Sequence, residues 1–286
     1  MPDIRRVGVV GAGLMGSGIA EVHARAGLDV VINEVNLPAL DAGRARIEKS
    51  LQRAVRSGKL AAEEAEAAVG RITFTTDLDA FADRDLVVEA VLEQEQAKVE
   101  LFRSLDKVVE GADAILASNT SSIPIMKLGM ATSRPQQVIG IHFFNPVPVL
   151  PLVELVPSLL TSEETVARAD AHVSSALAKT VIRSQDRAGF IVNALLVPYL
   201  VSAIRMFESG FASAEDIDHG MEKGTAHPMG PLRLADLIGL DTVKAIADSM
   251  YAEFKEPLYS APPLLLRMVD AGLLGKKTGR GFYNYE

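Results

Sequence analysis

Residues 7–27 read VGVVGAGLMGSGIAEVHARAG, which is a glycine-rich turn between two apolar segments. The preceding segment, Arg6–Val10, is rich in valine and predicts a β-strand. The following segment, Leu14–Ala26, predicts an α-helix from its apolar spacing. A strand, a glycine turn and a helix in this order open a nucleotide-binding βαβ unit. The sequence therefore predicts an α/β fold at the N-terminal end of the chain.

Each glycine of the turn has a physical reason to be there. Gly11 permits a tight turn, Gly13 lets the backbone approach a pyrophosphate, and Gly16 allows close packing of helix on strand. Leu14 and Met15 open the helix, whose first amides and dipole favour the negative charge of phosphate. No Lys-Ser or Lys-Thr pair closes the turn, so a P-loop is not predicted. The motif indicates a dinucleotide, and FAD fits it as well as the nicotinamide cofactors.

A carboxylate narrows the choice of dinucleotide. The residue that completes the motif is expected at the end of the second strand, roughly 20 residues beyond the turn. Glu34 follows the predicted strand Val30–Asn33 at that distance. Its carboxylate can accept hydrogen bonds from the adenosine ribose and would repel a 2′-phosphate. We therefore predict NAD and disfavour NADP; the alternative is that Glu34 is only the polar end of a strand.

The composition limits the class of protein. The chain has 286 residues, a net charge of −8 and no cysteine. A chain of this length is expected to form one or two domains. Its negative net charge argues against nucleic acid as a partner. The absence of cysteine excludes disulfides and thiolate chemistry. The most apolar segment, Phe190–Ile204, is too short to span a bilayer, and no signal peptide is recognised. We expect a cytoplasmic protein without a membrane partner.

Predicted strands and helices alternate along the first half of the chain, which is typical of a parallel, doubly wound sheet. The further predicted strands are Ile72–Thr75, Leu86–Glu89, Ala114–Ala117, Val138–His142 and Leu152–Val156. The further predicted helices are Leu37–Arg56, Ala61–Val69 and Gln96–Val109. Beyond Gln185–Gly189 only helical patterns follow, over Phe190–Glu208, Ala214–Glu222, Pro231–Ile238, Asp241–Phe254 and Pro263–Ala271. We predict a Rossmann-type domain over residues 1–186 and an all-helical domain over residues 187–286.

A histidine and a glutamate form a candidate acid–base pair. His142 ends an apolar predicted strand, and ligands of open α/β sheets gather at the carboxyl ends of strands. Glu154 lies within a second apolar run, where a carboxylate needs a partner. The proline-rich connection 145–151 could return the chain and set Glu154 beside His142. The alternative is a structural histidine and a glutamate facing solvent. The other four histidines show no metal-ligand spacing, so no metal site is expected.

A cationic stripe lies on the helix after Glu34. Arg46, Lys49, Arg53 and Arg56 recur at helical spacing on one side of it. In a protein of negative net charge, such a stripe would suit a polyphosphate substrate. A plain solvated face is the equally open alternative.

Seven segments resemble the 3-hydroxyacyl-CoA dehydrogenase family, and in particular its short bacterial 3-hydroxybutyryl-CoA dehydrogenases. They are VGVVGAGLMGSGIAEVHARAG, EAVLEQEQAKVELFRSLD, ILASNTSSIPI, IGIHFFNPVPVLPLVELV, DRAGFIVNALLVPYL, HPMGPLRLADLIGLDT and GKKTGRGFYNY. Together they run almost from end to end of the chain. HFFNPVP with its downstream glutamate is far more specific than the glycine turn.

The resemblance implies roles for particular residues and a homodimer formed through the helical domain. The residues it assigns to catalysis are His142, Glu154, Ser121 and Asn193, of which the last two also contact the substrate. The residues it assigns to the cofactor, beyond the turn and Glu34, are Glu93, Lys98 and Asn119. Ser50 matches a serine that the family uses near CoA. The family's lysine seven residues later is Ser57 here, so Arg53, Arg56 or Lys59 is expected to replace it.

A second departure from the family pattern is Leu150-Pro151, where many relatives carry Met-Lys. It is expected to affect the substrate entrance or the rigidity of the loop and not the chemistry.

The implied reaction is the reversible, NAD-dependent oxidation of an L-3-hydroxyacyl-CoA to the 3-ketoacyl-CoA. His142 would take the hydroxyl proton and Glu154 would stabilise the imidazolium. Two alternatives stay open: a related dehydrogenase of free hydroxy acids or sugar acids, and a non-catalytic reuse of the fold. The intact set of His142, Glu154, Ser121 and Asn193 speaks against the second alternative.

Overall fold

The computed structural model describes residues 4–285 and divides into two compact units between Asp186 and Arg187. The first unit contains an eight-stranded sheet with helices, and the second is built from helices. The predicted fold class, a Rossmann-type domain followed by a helical domain, is thereby confirmed.

The sheet of the first unit has the strand order β3-β2-β1-β4-β5-β6-β7-β8. The strands are β1 (Arg6–Val10), β2 (Asp29–Asn33), β3 (Ile72–Thr75), β4 (Leu86–Glu89), β5 (Ile115–Ser118), β6 (Val138–Phe143), β7 (Leu152–Pro157) and β8 (Thr180–Arg183). All pairs from β3 to β6 are parallel. This is the order of two joined mononucleotide-binding halves, with the carboxyl ends of the parallel strands along one edge.

The last two strands depart from a purely parallel sheet. β7 pairs antiparallel with β6, and β8 runs parallel to β7. The connection between β6 and β7, residues 144–151, is shorter than the dozen or more residues that a parallel crossover needs. The chain therefore returns antiparallel. β8 was not among the predicted strands, because its four residues at the sheet edge are half-buried or exposed and show no apolar alternation.

Helices cover the sheet of the first unit. They are α1 (Leu14–Arg25), α2 (Leu37–Arg56), α3 (Ala62–Gly70), α4 (Glu95–Val108), α5 (Ile125–Gly129) and α6 (Glu163–Ala171). The first four match predicted helices to within a residue or so, whereas α5 and α6 were not predicted. Val9, Ile32 and Val88 of three adjacent strands are fully buried and share one core cluster with Ile19 of α1. This packing fixes the glycine turn between β1 and α1 on a rigid base.

The second unit consists of five α-helices with short connections. They are α7 (Val192–Glu208), α8 (Ala214–Gly224), α9 (Pro231–Ile238), α10 (Leu240–Phe254) and α11 (Pro263–Asp270). Buried Asp236 accepts hydrogen bonds from the backbone amides of Phe282 and Tyr283, both at 3.0 Å. Buried Asp218 accepts one from the Tyr283 hydroxyl at 2.8 Å. Two buried carboxylates thus hold the C-terminal GFYNY segment.

Among the helices within residues 4–285, none is long and apolar enough to cross a membrane.

Candidate active site

The glycine turn has the geometry that a bound pyrophosphate needs. Gly11 has a φ of +97°, and a Cβ there would lie 2.6 Å from the carbonyl oxygen of Ala90. A Cβ on Gly16 would collide with the backbone of Gly11. In contrast, a Cβ on Gly13 would meet no atom within 4 Å, so open space lies in front of this residue. Gly13 also caps α1 without a side chain, which leaves the first turn of the helix accessible to an anion. The turn therefore fits a dinucleotide.

Glu34 lies directly against this turn. Its Oε2 accepts a hydrogen bond from the Ala12 amide at 2.9 Å, and its Oε1 accepts one from the Val35 amide at 2.8 Å. The Arg46 guanidinium donates to the Ala12 carbonyl at 3.0 Å. The amide and the carbonyl group of Ala12 are thus both held by side chains, and the Glu34 carboxylate is fixed at the end of β2.

His142 and Glu154 lie together in the sheet. They are register partners in the antiparallel pair β6–β7, so their side chains share one face. His142 Nδ1 lies 2.8 Å from Glu154 Oε2. Glu154 is fully buried and His142 is 4% exposed, so little water screens the pair. A buried carboxylate that accepts the Nδ1 proton fixes the tautomer of the ring.

Ser121 faces the other nitrogen of the same ring. It belongs to the loop after β5, and its Oγ lies 3.0 Å from His142 Nε2. The ring of Phe144 packs edge-on against the imidazole at 4.7 Å between centroids. With Nδ1 bound to Glu154 as donor, Nε2 is the basic nitrogen and lies within reach of a hydroxyl. The arrangement can accept a proton from an alcohol.

Asn119 ties two strand ends together beside this pair. Its Oδ1 accepts a hydrogen bond from the Phe143 amide at 2.8 Å. The side chain thereby joins the end of β5 to the end of β6. Its carboxyl-edge position is compatible with the cofactor contact predicted for it.

Glu93 and Lys98 hold the loop that carries Ser121. Glu93 Oε1 accepts hydrogen bonds from the Thr120 hydroxyl at 2.5 Å and from the Ser121 amide at 3.0 Å. Lys98 Nζ lies 3.0 Å from Glu93 Oε2. Burial raises the pKa of Glu93, but the charge of Lys98 and the hydrogen bonds outweigh it, so the pKa lies below its ordinary value. Glu93 is therefore a carboxylate at neutral pH.

Sequence reasoning missed Glu89, the fully buried end of β4. Its Oε1 lies 2.7 Å from Lys98 Nζ, and its Oε2 accepts the Ser118 hydroxyl at 2.6 Å. The sequence did contain a signal for this residue, because a carboxylate at the end of the apolar run Leu86–Glu89 needs a partner.

The cationic stripe of α2 is divided between two surfaces. Arg46, Lys49, Ser50 and Arg53 line a cavity of about 260 Å³, together with the loop at residues 145–148. Arg56 lines a separate groove between α2 and α3. Arg46, Lys49, Arg53 and Ser50 thus face one cavity, which the Glu21 carboxylate also lines, whereas Arg56 belongs to another surface.

Asn193 lies in the second unit, in the first turn of α7. It is 8% exposed. Its contact with the substrate is implied by the family resemblance alone.

The fold and the site define a Rossmann-type dehydrogenase that binds a nicotinamide cofactor and carries a buried His142–Glu154 pair in its sheet. Residues 6–187 match the model of the 3-hydroxyacyl-CoA dehydrogenase NAD binding domain, and residues 189–285 match that of the 3-hydroxyacyl-CoA dehydrogenase C-terminal domain. The chain belongs to the 3-hydroxyacyl-CoA dehydrogenase family and is an oxidoreductase.

Similar proteins cover the whole length of the chain. The 3-hydroxybutyryl-CoA dehydrogenase of Mycobacterium tuberculosis is 63% identical over 99% of both chains. The crystal structure of M. tuberculosis FadB2 is 62% identical, covers 100% of both chains and superposes with a TM-score of 0.99. The (S)-3-hydroxybutyryl-CoA dehydrogenase PaaH1 of Ralstonia eutropha is 45% identical, with a TM-score of 0.93 and coverage of 99% and 100%.

Proposed function

We propose that this enzyme catalyses the reversible oxidation of L-3-hydroxyacyl-CoA, in particular 3-hydroxybutyryl-CoA, with NAD as the oxidant. The observation that carries the proposal is the His142 imidazole, held between the Glu154 carboxylate and the Ser121 hydroxyl at the carboxyl edge of the sheet. The names of relatives that match 99% of the chain support the choice of substrate.

Bound NAD supplies the acceptor for the hydride of carbon 3. The turn Gly11–Gly16 and the first turn of α1 hold its pyrophosphate through backbone amides. Glu34 accepts hydrogen bonds from the adenosine ribose. Glu93 and Asn119 would border the nicotinamide end, on the same edge as His142, and the buried Lys98 would act on that end through its ion pair with Glu93.

His142 moves the proton of the reaction. Because Glu154 accepts Nδ1–H, Nε2 takes the proton of the substrate hydroxyl as carbon 3 is oxidised. Glu154 stabilises the resulting imidazolium, which returns the proton during reduction. Ser121 holds the reacting oxygen at Nε2. His142 Nε2 and Ser121 Oγ would thus contact the same hydroxyl oxygen, while Glu154 holds the opposite side of the imidazole ring.

The cavity beside Arg53 is the proposed place for the phosphates of CoA. Arg46, Lys49 and Arg53 supply positive charge there, and Ser50 supplies a hydroxyl. This arrangement favours Arg53 over Arg56 as the residue that replaces the family lysine, whose position is occupied by Ser57 in this chain. Asn193 is proposed as a contact of the thioester on the strength of the resemblance.

Turnover with acetoacetyl-CoA and NADH, followed by NADH absorbance, tests the proposed reaction. We expect rapid NADH consumption with the thioester and none with free acetoacetate. Activity with free acids alone would support the related hydroxy-acid dehydrogenase instead. Binding of NAD without turnover of any thioester would support the non-catalytic alternative. Specificity constants across acyl-chain lengths would then identify the preferred substrate.

The preference for NAD over NADP is assigned to Glu34. Its charge is expected to repel the 2′-phosphate of NADP. Replacing it by alanine, as Glu34→Ala, should raise the specificity constant for NADPH relative to that for NADH. An unchanged ratio would place the preference elsewhere.

We also propose a cytoplasmic homodimer joined through the helical unit, as the family resemblance implies. Sedimentation of the purified chain tests the dimer. A monomer that keeps full activity would contradict it.

A further inference from the structure

Three buried or half-buried charges form an ion network behind the Ser121 loop. Lys98 Nζ lies 2.7 Å from Glu89 Oε1 and 3.0 Å from Glu93 Oε2. Glu89 is fully buried and the Lys98 side chain is 1% exposed, whereas the Glu93 side chain is 33% exposed. The network therefore reaches from the interior of the sheet to the surface of the site only through Glu93.

The hydrogen bonds fix the charge of this network. Glu89 accepts from Lys98 Nζ, from the Ser118 hydroxyl and from the Val91 amide. Glu93 accepts from Lys98 and from the loop residues 120–122. Two carboxylates that act only as acceptors and one ammonium between them give a net charge of −1. Because the carboxylate of Glu89 is buried away from water, the net negative charge of the network is weakly screened.

The network lies next to the atoms that react. Glu93 Oε1 is 3.0 Å from the Ser121 amide, and Ser121 Oγ is 3.0 Å from His142 Nε2. Under the proposed function, the substrate oxygen lies at His142 and the nicotinamide ring lies against the adjacent carbon. A nicotinamide ring bound there would lie close enough to the excess negative charge to interact with it, because charges in a partly buried site are only weakly screened.

We propose that Glu89 shifts the relative affinity of the enzyme toward the oxidised form of the cofactor and away from the reduced form. The nicotinamide ring carries a positive charge in NAD⁺ and none in NADH. A net charge of −1 nearby stabilises bound NAD⁺ and leaves bound NADH nearly unaffected. Without the Glu89 carboxylate, Lys98 and Glu93 balance each other and the contribution of this network is lost, while that of the Glu154 carboxylate beside His142 remains. Glu89 acts through the network and is a positioning residue, not a catalytic one.

The dissociation constants of NAD⁺ and NADH, measured separately on the purified enzyme, test this proposal. Glu89→Gln removes one charge and keeps the shape of the side chain. We expect its NAD⁺ affinity to fall about tenfold relative to its NADH affinity, which is the order of magnitude expected for the loss of one weakly screened charge. A tenfold change corresponds to about 30 mV in the potential of the bound couple. Glu89→Asp keeps the charge and should keep the wild-type ratio.

Glu95→Gln is the matched control. Glu95 lies on α4, the helix that carries Lys98, but it pairs with Lys127 at the surface, where both side chains are about half exposed. Its loss should leave the ratio unchanged, because solvent screens its charge.

The outcomes separate the possible failures. A wild-type ratio in a folded Glu89→Gln variant overturns the proposal. An equal loss of affinity for both cofactors, or the same loss in Glu89→Asp, shows a purely structural role and also overturns it. If the wild-type enzyme binds neither cofactor, the proposed function itself fails.

Discussion

The first unit contains two pairs of buried side chains centred on histidine, and they are built differently. His142 lies against the Glu154 carboxylate, whereas His23 lies against a second histidine, His172, at 3.1 Å between their Nε2 atoms. Both sites are dry: His142 is 4% exposed and His23 is fully buried. Burial alone disfavours the charged ring. A carboxylate partner supplies the charge that lets a buried ring gain a proton, and a histidine partner does not.

The His23–His172 pair has a fixed proton arrangement. His23 Nδ1 lies 2.7 Å from the carbonyl oxygen of Ile19 and must donate to it. His23 Nε2 is then an acceptor, so His172 Nε2 carries the second proton. Burial lowers the pKa of His23 to about 4 and that of His172 to about 3. The pair is neutral and structural at every pH at which the enzyme is expected to work.

Replacing His142 gives the largest expected effect. His142→Gln keeps a polar side chain but removes the proton acceptor, and turnover should fall about 10⁴-fold, the upper range for general acid–base catalysis. The affinity for NAD⁺ should stay near that of the wild type, as equilibrium titration would show. His172→Gln is the control and should retain turnover per folded molecule at room temperature. If His142→Gln turns over like the wild type, the catalytic assignment is wrong.

Replacing Glu154 tests the partner that distinguishes the two pairs. Glu154→Gln keeps the size of the side chain and removes its charge, so the imidazolium loses its stabilisation and the tautomer is no longer fixed. We expect turnover to fall about 10³-fold, with little change in KM. Steady-state kinetics across substrate concentrations separate the two constants. Unchanged turnover would mean that His142 needs no anionic partner.

The sequence indicated that His142 and Glu154 could lie side by side, but it gave no indication of the contact between His23 and His172. His142 and Glu154 are separated by one short connection, and both occupy apolar strands whose direction that connection determines. His23 and His172 belong to α1 and to a π-helical turn after α6, which sequence reasoning did not identify as a helix. Their contact depends on how two distant elements pack. A local sequence pattern does not indicate which elements far apart in sequence will pack together.

The same distinction explains the other differences between prediction and structure. The glycine turn and Glu34 were predicted because the motif is local and each residue has a required backbone or charge. Glu89 was missed because its partners, Lys98 and Ser118, come from separate elements. The separation of Arg56 from Arg53 was also missed, since a helical stripe does not say which neighbouring elements cover each side.

The buried histidine pair predicts how stability depends on pH. In the unfolded chain both histidines titrate near 6.5, whereas their pKa values in the folded protein lie at about 4 and about 3. Below pH 6.5 the unfolded state therefore binds more protons, and the free energy of unfolding falls as the pH drops toward 4. The two histidines together contribute up to about 3 kcal/mol per pH unit in that window.

Replacing both members of the pair should remove this contribution. In the double variant His23→Leu/His172→Leu, denaturant unfolding at pH 7 and pH 5 should show a smaller loss of stability than in the wild type. Both polar partners leave together, so no buried nitrogen of the pair stays unpaired. A pH dependence equal to that of the wild type would show that the pair does not control acid stability.

The smallest expected effect concerns the hydroxyl at His142 Nε2. Ser121→Ala removes one neutral hydrogen bond of about 1.4 kcal/mol, so turnover should fall about tenfold. The loop backbone stays anchored, because the Ser121 amide and not its hydroxyl donates to Glu93. Ser104→Ala, on the exposed side of α4, is the matched control and should retain full turnover. A loss as large as that of His142→Gln would mean that Ser121 takes part in proton transfer itself. No loss would mean that His142 and Glu154 alone orient the substrate oxygen.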